Sequence, residues 1–215
     1  MNKYAIIDQL TKDAIPVKPY RSNFPLWLGV LLLNALLFIC VMGLRNNFMD
    51  IIKNIHFWTS NIFLFSSILF AGWATFATSR PNLFARTYIY NIVPVGLLLI
   101  ALIVKLFGEY QMNDSAAFHI DNGIACVFLT IVYSIIPFGI IRWSIRKGYS
   151  TVPQITGILA AFASATAGSL VLNFTCFKSA AMHHIIWHYL PILGIGLLGY
   201  YIGVKLFSPK SEVRK

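Results

Sequence analysis

The sequence predicts an all-α polytopic membrane protein, a bundle of six transmembrane helices with both termini cytoplasmic. Three observations predict it. Of 215 residues, 58% are hydrophobic and only 11% charged, whereas a soluble domain is about a quarter charged. No soluble core of this length hides so much apolar surface. The apolar residues gather into six runs near the roughly 20 residues that cross a bilayer. The basic residues fall unevenly between the two sides that those runs define.

Residues 1–23 are polar enough to stay in water and form a first, cytoplasmic unit. Tyr4, Ile7, Leu10 and Ala14 fall near one helical face, with Asp8, Thr11 and Lys12 around the rest, the pattern of a short amphipathic helix. Pro16 and Pro19 end it. Charges reach Arg21 and no small-residue cleavage site follows, which separates this segment from a signal peptide. A disordered tail or an interfacial anchor is the plainer reading, since so few residues make a marginal isolated helix.

The transmembrane domain occupies 24–207, with spans at about 25–44, 57–79, 88–107, 122–141, 153–174 and 184–206. Lipid offers no partner to a free backbone N–H or C=O, so each run must be helical. Short connections make neighbours antiparallel and leave no room for a soluble domain. Residues 208–215 form a basic cytoplasmic tail.

Orientation follows from Lys and Arg. Lys3, Lys12, Lys18, Arg21, Arg80, Arg86, Arg142, Arg146, Lys147, Lys205, Lys210, Arg214 and Lys215 share one side. Only Arg45, Lys53, Lys105 and Lys178 share the other. The richer side is the cytoplasm. The net charge of +10 is thereby a loop bias, and direct nucleic-acid binding is not expected. Trp27, Trp58, Trp143 and Trp187 lie near span ends, where amphipathic rings settle. Gly157, Ala161, Ala165 and Gly168 recur at three or four residues in span five, a stripe that lets helices approach closely.

The spans hold no deep Asp or Glu, the groups that ion-coupled transporters use as relays. There is no phosphate-binding loop, no HExxH and no serine–histidine–acid set. An enzyme is not expected. The chemistry-bearing residues gather instead at Asn173–Pro191, where Cys176, Lys178, His183, His184 and His188 stand between apolar runs. Cys126 lies four residues, about 6 Å of helix rise, below the boundary at Asn122. Cys40 is the third thiol, and no disulfide framework follows from three. Matched depth at the outer face lets Cys126 and Cys176 act as sensing thiols in an oxidising compartment, although a membrane cysteine is often mere packing.

His184 and His188 share a helical face, while His119 and His183 are expected in outer loops. With thiolate, these imidazoles suit a metal ion; as interfacial residues they need only backbone or side-chain partners. No cofactor is expected, the alternative being a transient metal ion at Cys126 and Cys176. A metal- or haem-binding protein using this outer Cys/His cluster is the second reading, with haem requiring histidines at matched depth on different spans.

Phe118–Cys126, the turn at Arg142–Gly148, the span opening Pro153–Gly157 and the run Asn173–Cys176 through Trp187-His188-Tyr189-Leu190-Pro191 resemble the NrsF family. Ile7–Leu10 and Pro16–Pro19 resemble that family's opening. The family often carries Cys-Pro at its second thiol, where this chain has Cys176-Phe177. The resemblance implies a multi-pass anti-sigma factor of the bacterial inner membrane whose partners are the lipid bilayer and an extracytoplasmic-function sigma factor. It implies that the amino-terminal segment, with Ile7, Asp8, Leu10, Ala14 and Pro16 as contact candidates, sequesters the sigma factor. It also implies that Cys126 and Cys176 sense an oxidant or a thiol-seeking metal outside.

Overall fold

In the computed structural model the described residues are 22–78, 87–111, 122–145, 150, 152–178 and 180–208. The amino-terminal contact candidates, His119 and the tail beyond Ser208 lie outside them. Among the described residues, six helices are long and apolar enough to span a membrane. They are α1 (Phe24–Met42), α3 (Ile55–Ala77), α4 (Thr87–Gln111), α5 (Ile124–Ile145), α6 (Pro153–Thr175) and a last span built from three pieces. Those pieces are α7 (Ala181–His184), a π-helical turn (Ile185–Tyr189) and α8 (Leu190–Phe207). The short α2 (Phe48–Ile51) links α1 to α3.

Local chemistry sets the helix ends. Proline stands in the first turn of α1, α6 and α8, where its missing N–H costs no hydrogen bond. Gly43 ends α1 at φ +76°, donating to the Ile39 carbonyl at 2.8 Å, a left-handed closure that glycine adopts without strain. The Asn54 side chain caps α3 by accepting from the His56 N–H at 2.8 Å.

Helix α6 is the centre of the bundle, buried along nearly its whole length and packed against α8, α3 and α5. Lipid tails are as apolar as the side chains, so close packing rather than water exclusion holds these helices together. The small-residue stripe serves two neighbours. A Cβ on Gly157 would meet the backbone of Gly199 and Gly203, and one on Gly168 would meet Thr130 of α5. Where α3 ends and α6 begins, Thr78, Ser150 and Thr156 close the bundle through hydroxyl contacts of 2.8 and 2.6 Å.

Helix α1 is mostly lipid-exposed and docks at a few points. Pro137, inside α5, has no N–H for the Tyr133 carbonyl four residues earlier. The Asn34 amide supplies the missing donor at 3.2 Å. The Tyr133 hydroxyl in turn donates to the Leu31 carbonyl at 3.2 Å.

Three differences from the sequence expectations have physical causes. Span four runs on to Ile145, beyond the expected 141, because Arg142 is exposed and its head can reach polar surroundings from a helical position. Span six opens at Ala181, so His183 lies in a helix and not in a loop. Trp58 and Trp143 are exposed near span ends, but Trp27 is fully buried over Gly72, and Trp187 lies against Gly123. In both cases a missing side chain makes room for an indole.

A thiol and imidazole cluster at one end of the bundle

Cys126 sits in the first turn of α5. The Asn122 side chain accepts from the Ile124 N–H at 3.1 Å, and the Cys126 N–H donates to the Gly123 carbonyl at 2.8 Å. Cys176 is the first residue past α6, its N–H returned to the Leu172 carbonyl at 2.8 Å. The backbone N–H of Arg45 takes the Phe174 carbonyl at 3.1 Å, satisfying one orphan acceptor of that helix end. Both thiols are thus fixed by helix termini.

The two sulfurs stand 3.8 Å apart and unbonded. His183 Nε2 lies 3.6 Å from each of them. The Cys126 thiol donates toward the Cys176 sulfur, which holds the Cys176 thiol well below the usual thiol range. The Lys178 backbone N–H acts in the same sense, and burial opposes both. Cys40 is exposed on α1 and does not join the pair.

His183, His184 and His188 are all buried, at 1%, 0% and 0% exposure. In an α-helix, residues five apart point about 140° away from each other. The π turn removes that separation by closing hydrogen bonds five residues apart, as the Leu190 N–H does to the Ile185 carbonyl. Pro191 gives the turn a cause. It has no N–H for the Trp187 carbonyl, and its ring crowds that oxygen. His183 and His188 consequently face each other, with ring centroids 5.4 Å apart.

Two polar atoms of the cluster, His183 Nδ1 and His188 Nε2, are buried without a hydrogen-bond partner, and the others contact one another. His184 Nε2 lies 3.0 Å from the Lys178 carbonyl, which can only accept, so this nitrogen carries the proton. His184 Nδ1 is then the acceptor for His188 Nδ1–H at 3.2 Å. His188 Nε2 is left without a proton and, being buried, without a partner. One donor atom from each of Cys126, Cys176, His183 and His188 lies within 4.8 Å of the other three. Toward the bundle interior, Asn173 donates to Asn61 at 2.9 Å and lies 3.5 Å from the Tyr189 hydroxyl.

The sequence-predicted Cys126, Cys176, His183, His184 and His188 therefore come together. Sequence reasoning did not single out Asn34, Asn61 or the facing of His183 with His188. Pro191 was the available signal for the last, since it breaks the α ladder at that turn.

The fold and this cluster define a multi-pass membrane protein with a buried thiol–imidazole site at one end of its bundle. The chain matches the NrsF family, described as negative regulator of sigma F, over residues 10–208, and it belongs to that family. Membership makes it a negative regulator of a sigma factor. No curated relative and no solved structure matches it significantly.

Proposed function

We propose that this chain is an inner-membrane anti-sigma factor. In this reading residues 1–23 hold an extracytoplasmic-function sigma factor at the cytoplasmic face. The partner is released when an oxidant or thiol-seeking metal reaches the thiols at the periplasmic face. The Lys and Arg asymmetry supports the orientation. The observation that carries the sensing half is the pair of unbonded sulfurs 3.8 Å apart on the ends of two different helices.

A disulfide forms when both thiols give up their protons and two electrons pass to the oxidant. That bond, or a metal bridging the sulfurs, joins the first turn of α5 to the end of α6. Helix α1 is tied to α5 through Asn34 and Tyr133, and the link that follows it is tied to the end of α6 through Arg45 and Phe174. Helix α1 also leads directly into the amino-terminal segment. A change in the α5–α6 contact therefore has a physical route to the sigma-binding face, as a two-state element biased by a ligand. Ile7, Leu10 and Ala14 on one face suit a helix-in-groove contact with the sigma factor.

The test is co-purification of a tagged sigma factor with the full-length protein in native membranes. Leu10→Asp should lose the partner without altering membrane insertion. Cys126→Ser and Cys176→Ser should keep it and no longer release it on oxidant or cadmium treatment. Unchanged partner binding by Leu10→Asp removes the amino-terminal contact from the proposal, and normal release by both serine variants removes the sensor.

A further inference from the structure

We infer that the cluster is a tetrahedral site for one soft divalent cation of the zinc and cadmium class, with Cys126 Sγ, Cys176 Sγ, His183 Nε2 and His188 Nε2 as ligands and His184 as a positioning residue. The inference rests on the sensing reading above and names the stimulus chemistry and the full ligand set, extending the thiol pair to two imidazoles.

The first argument is separation. A tetrahedral ion with metal–sulfur bonds near 2.3 Å and metal–nitrogen bonds near 2.0–2.1 Å holds its sulfurs about 3.8 Å apart and each sulfur about 3.6 Å from a nitrogen. The sulfurs here are 3.8 Å apart, and His183 Nε2 is 3.6 Å from both. Three donor atoms thus already stand at three corners of such a tetrahedron. A donor atom of His188 lies within 4.8 Å of all three and supplies the fourth.

The second argument is the proton order. Metal-binding imidazole must be unprotonated at the ligating nitrogen, and its other nitrogen is ordinarily held by an outer partner that fixes the ring. The Lys178 carbonyl forces the proton onto His184 Nε2, and His184 Nδ1 then takes the proton of His188 Nδ1. This leaves His188 Nε2 as a bare lone pair, buried and without a hydrogen-bond partner. A buried orphan acceptor is costly to leave unmet, and a cation meets it.

The third argument is charge. Two thiolates neutralise a dication while the imidazoles bind neutral, so the occupied site carries no net charge into the apolar end of the bundle. Binding expels the thiol protons. The donor set contains no carboxylate, which disfavours calcium and magnesium. The π turn serves the same end, because it alone brings residues 183 and 188 to one face.

The test uses full-length protein in detergent, stripped of metal under reducing conditions and titrated with cobalt(II). One cobalt per chain is expected, with a sulfur-to-cobalt charge-transfer band and the intense visible bands of a tetrahedral ion, displaced by zinc or cadmium. Cys126→Ser and Cys176→Ser should each reduce the charge-transfer band. His188→Asn should lower affinity and change the visible bands. His184→Leu should weaken binding about 10- to 100-fold while keeping the spectrum, as removal of an outer partner does. Helix content and elution profile identify any variant that does not fold, and the serine variants preserve side-chain size if the histidine variants fail.

A weak octahedral spectrum, or the wild-type spectrum and affinity in His188→Asn, overturns the four-ligand site. Free-thiol counting after oxidant treatment separates this failure from that of the sensing reading. Thiols that oxidise in a protein that binds no cobalt leave the sensor standing without its metal. Thiols inert to both remove both.

Discussion

Helix α1 offers a sharp test of how this bundle is held. Pro137 orphans the Tyr133 carbonyl inside a buried helix face, and Asn34 donates to it across the α1–α5 contact at 3.2 Å. Asn34→Leu removes that side-chain donor and leaves the carbonyl in apolar surroundings. A single interhelical hydrogen bond in a membrane is worth about 0.6 kcal/mol on average and up to about 1.7. The cost of leaving a buried acceptor unmet, about 1–3 kcal/mol, is a second measure of the same loss and not an addition to it. The expected loss is therefore about 1–2 kcal/mol. In a Pro137→Ala background the new N–H at position 137 can reach the Tyr133 carbonyl, and Asn34→Leu should then cost about 0.5 kcal/mol or less. The assay is reversible unfolding in mixed micelles by rising denaturing detergent, followed by helix content, for all four proteins of the cycle. Equal costs in the two backgrounds would refute the assignment of Asn34 as a substitute for the missing proline N–H.

Other outcomes follow from the same packing. Gly157→Ala should destabilise by about 1–3 kcal/mol, since its methyl meets the backbone of Gly199 and Gly203. Gly139→Ala, with open space around it, should be neutral or slightly stabilising in the same unfolding assay. Asn173→Leu breaks the contacts to Asn61 and Tyr189 and should cost about 1–3 kcal/mol. Pro191→Ala lets the α ladder resume, turns His183 away from His188, and should weaken cobalt binding about tenfold or more without lowering helix content.

The spans were legible because lipid admits only one backbone solution, so hydropathy alone specifies six helices. Their ends were less so. Arg142 and the 183–184 histidines read as interface or loop, yet Arg142 sits exposed within a continuing helix, and both histidines are buried, His183 against the two sulfurs and His184 against His188 and the Lys178 carbonyl. Cys126 and Cys176 were legible as a pair through matched depth. The facing of His183 with His188 was not, because periodicity of 3.6 puts residues 183 and 188 on different faces. Only the Pro191-linked π turn reverses that. Trp27 shows the same limit, since a ring at a span end reads as interfacial until the glycine opposite it is known to be a neighbour.

The route from the thiol cluster to the amino-terminal segment also has an upper bound. A link can transmit no more free energy than it is worth. The Asn34–Tyr133 contact, at about 1–2 kcal/mol, can change partner affinity by about 5- to 30-fold. Moving a two-state regulator from 1:99 to 99:1 takes about 5.5 kcal/mol, more than this contact supplies. The Arg45–Phe174 hydrogen bond just past α1, the packing of Trp27 and Phe24 on α3, and that of Phe38 on Tyr133 are further ties. A full switch must draw on them as well. Asn34→Leu should accordingly blunt stimulus-dependent release of the sigma factor without abolishing it. Loss of the whole response in that variant, with the protein still folded and still holding its partner, would concentrate the coupling in one contact and contradict this bound.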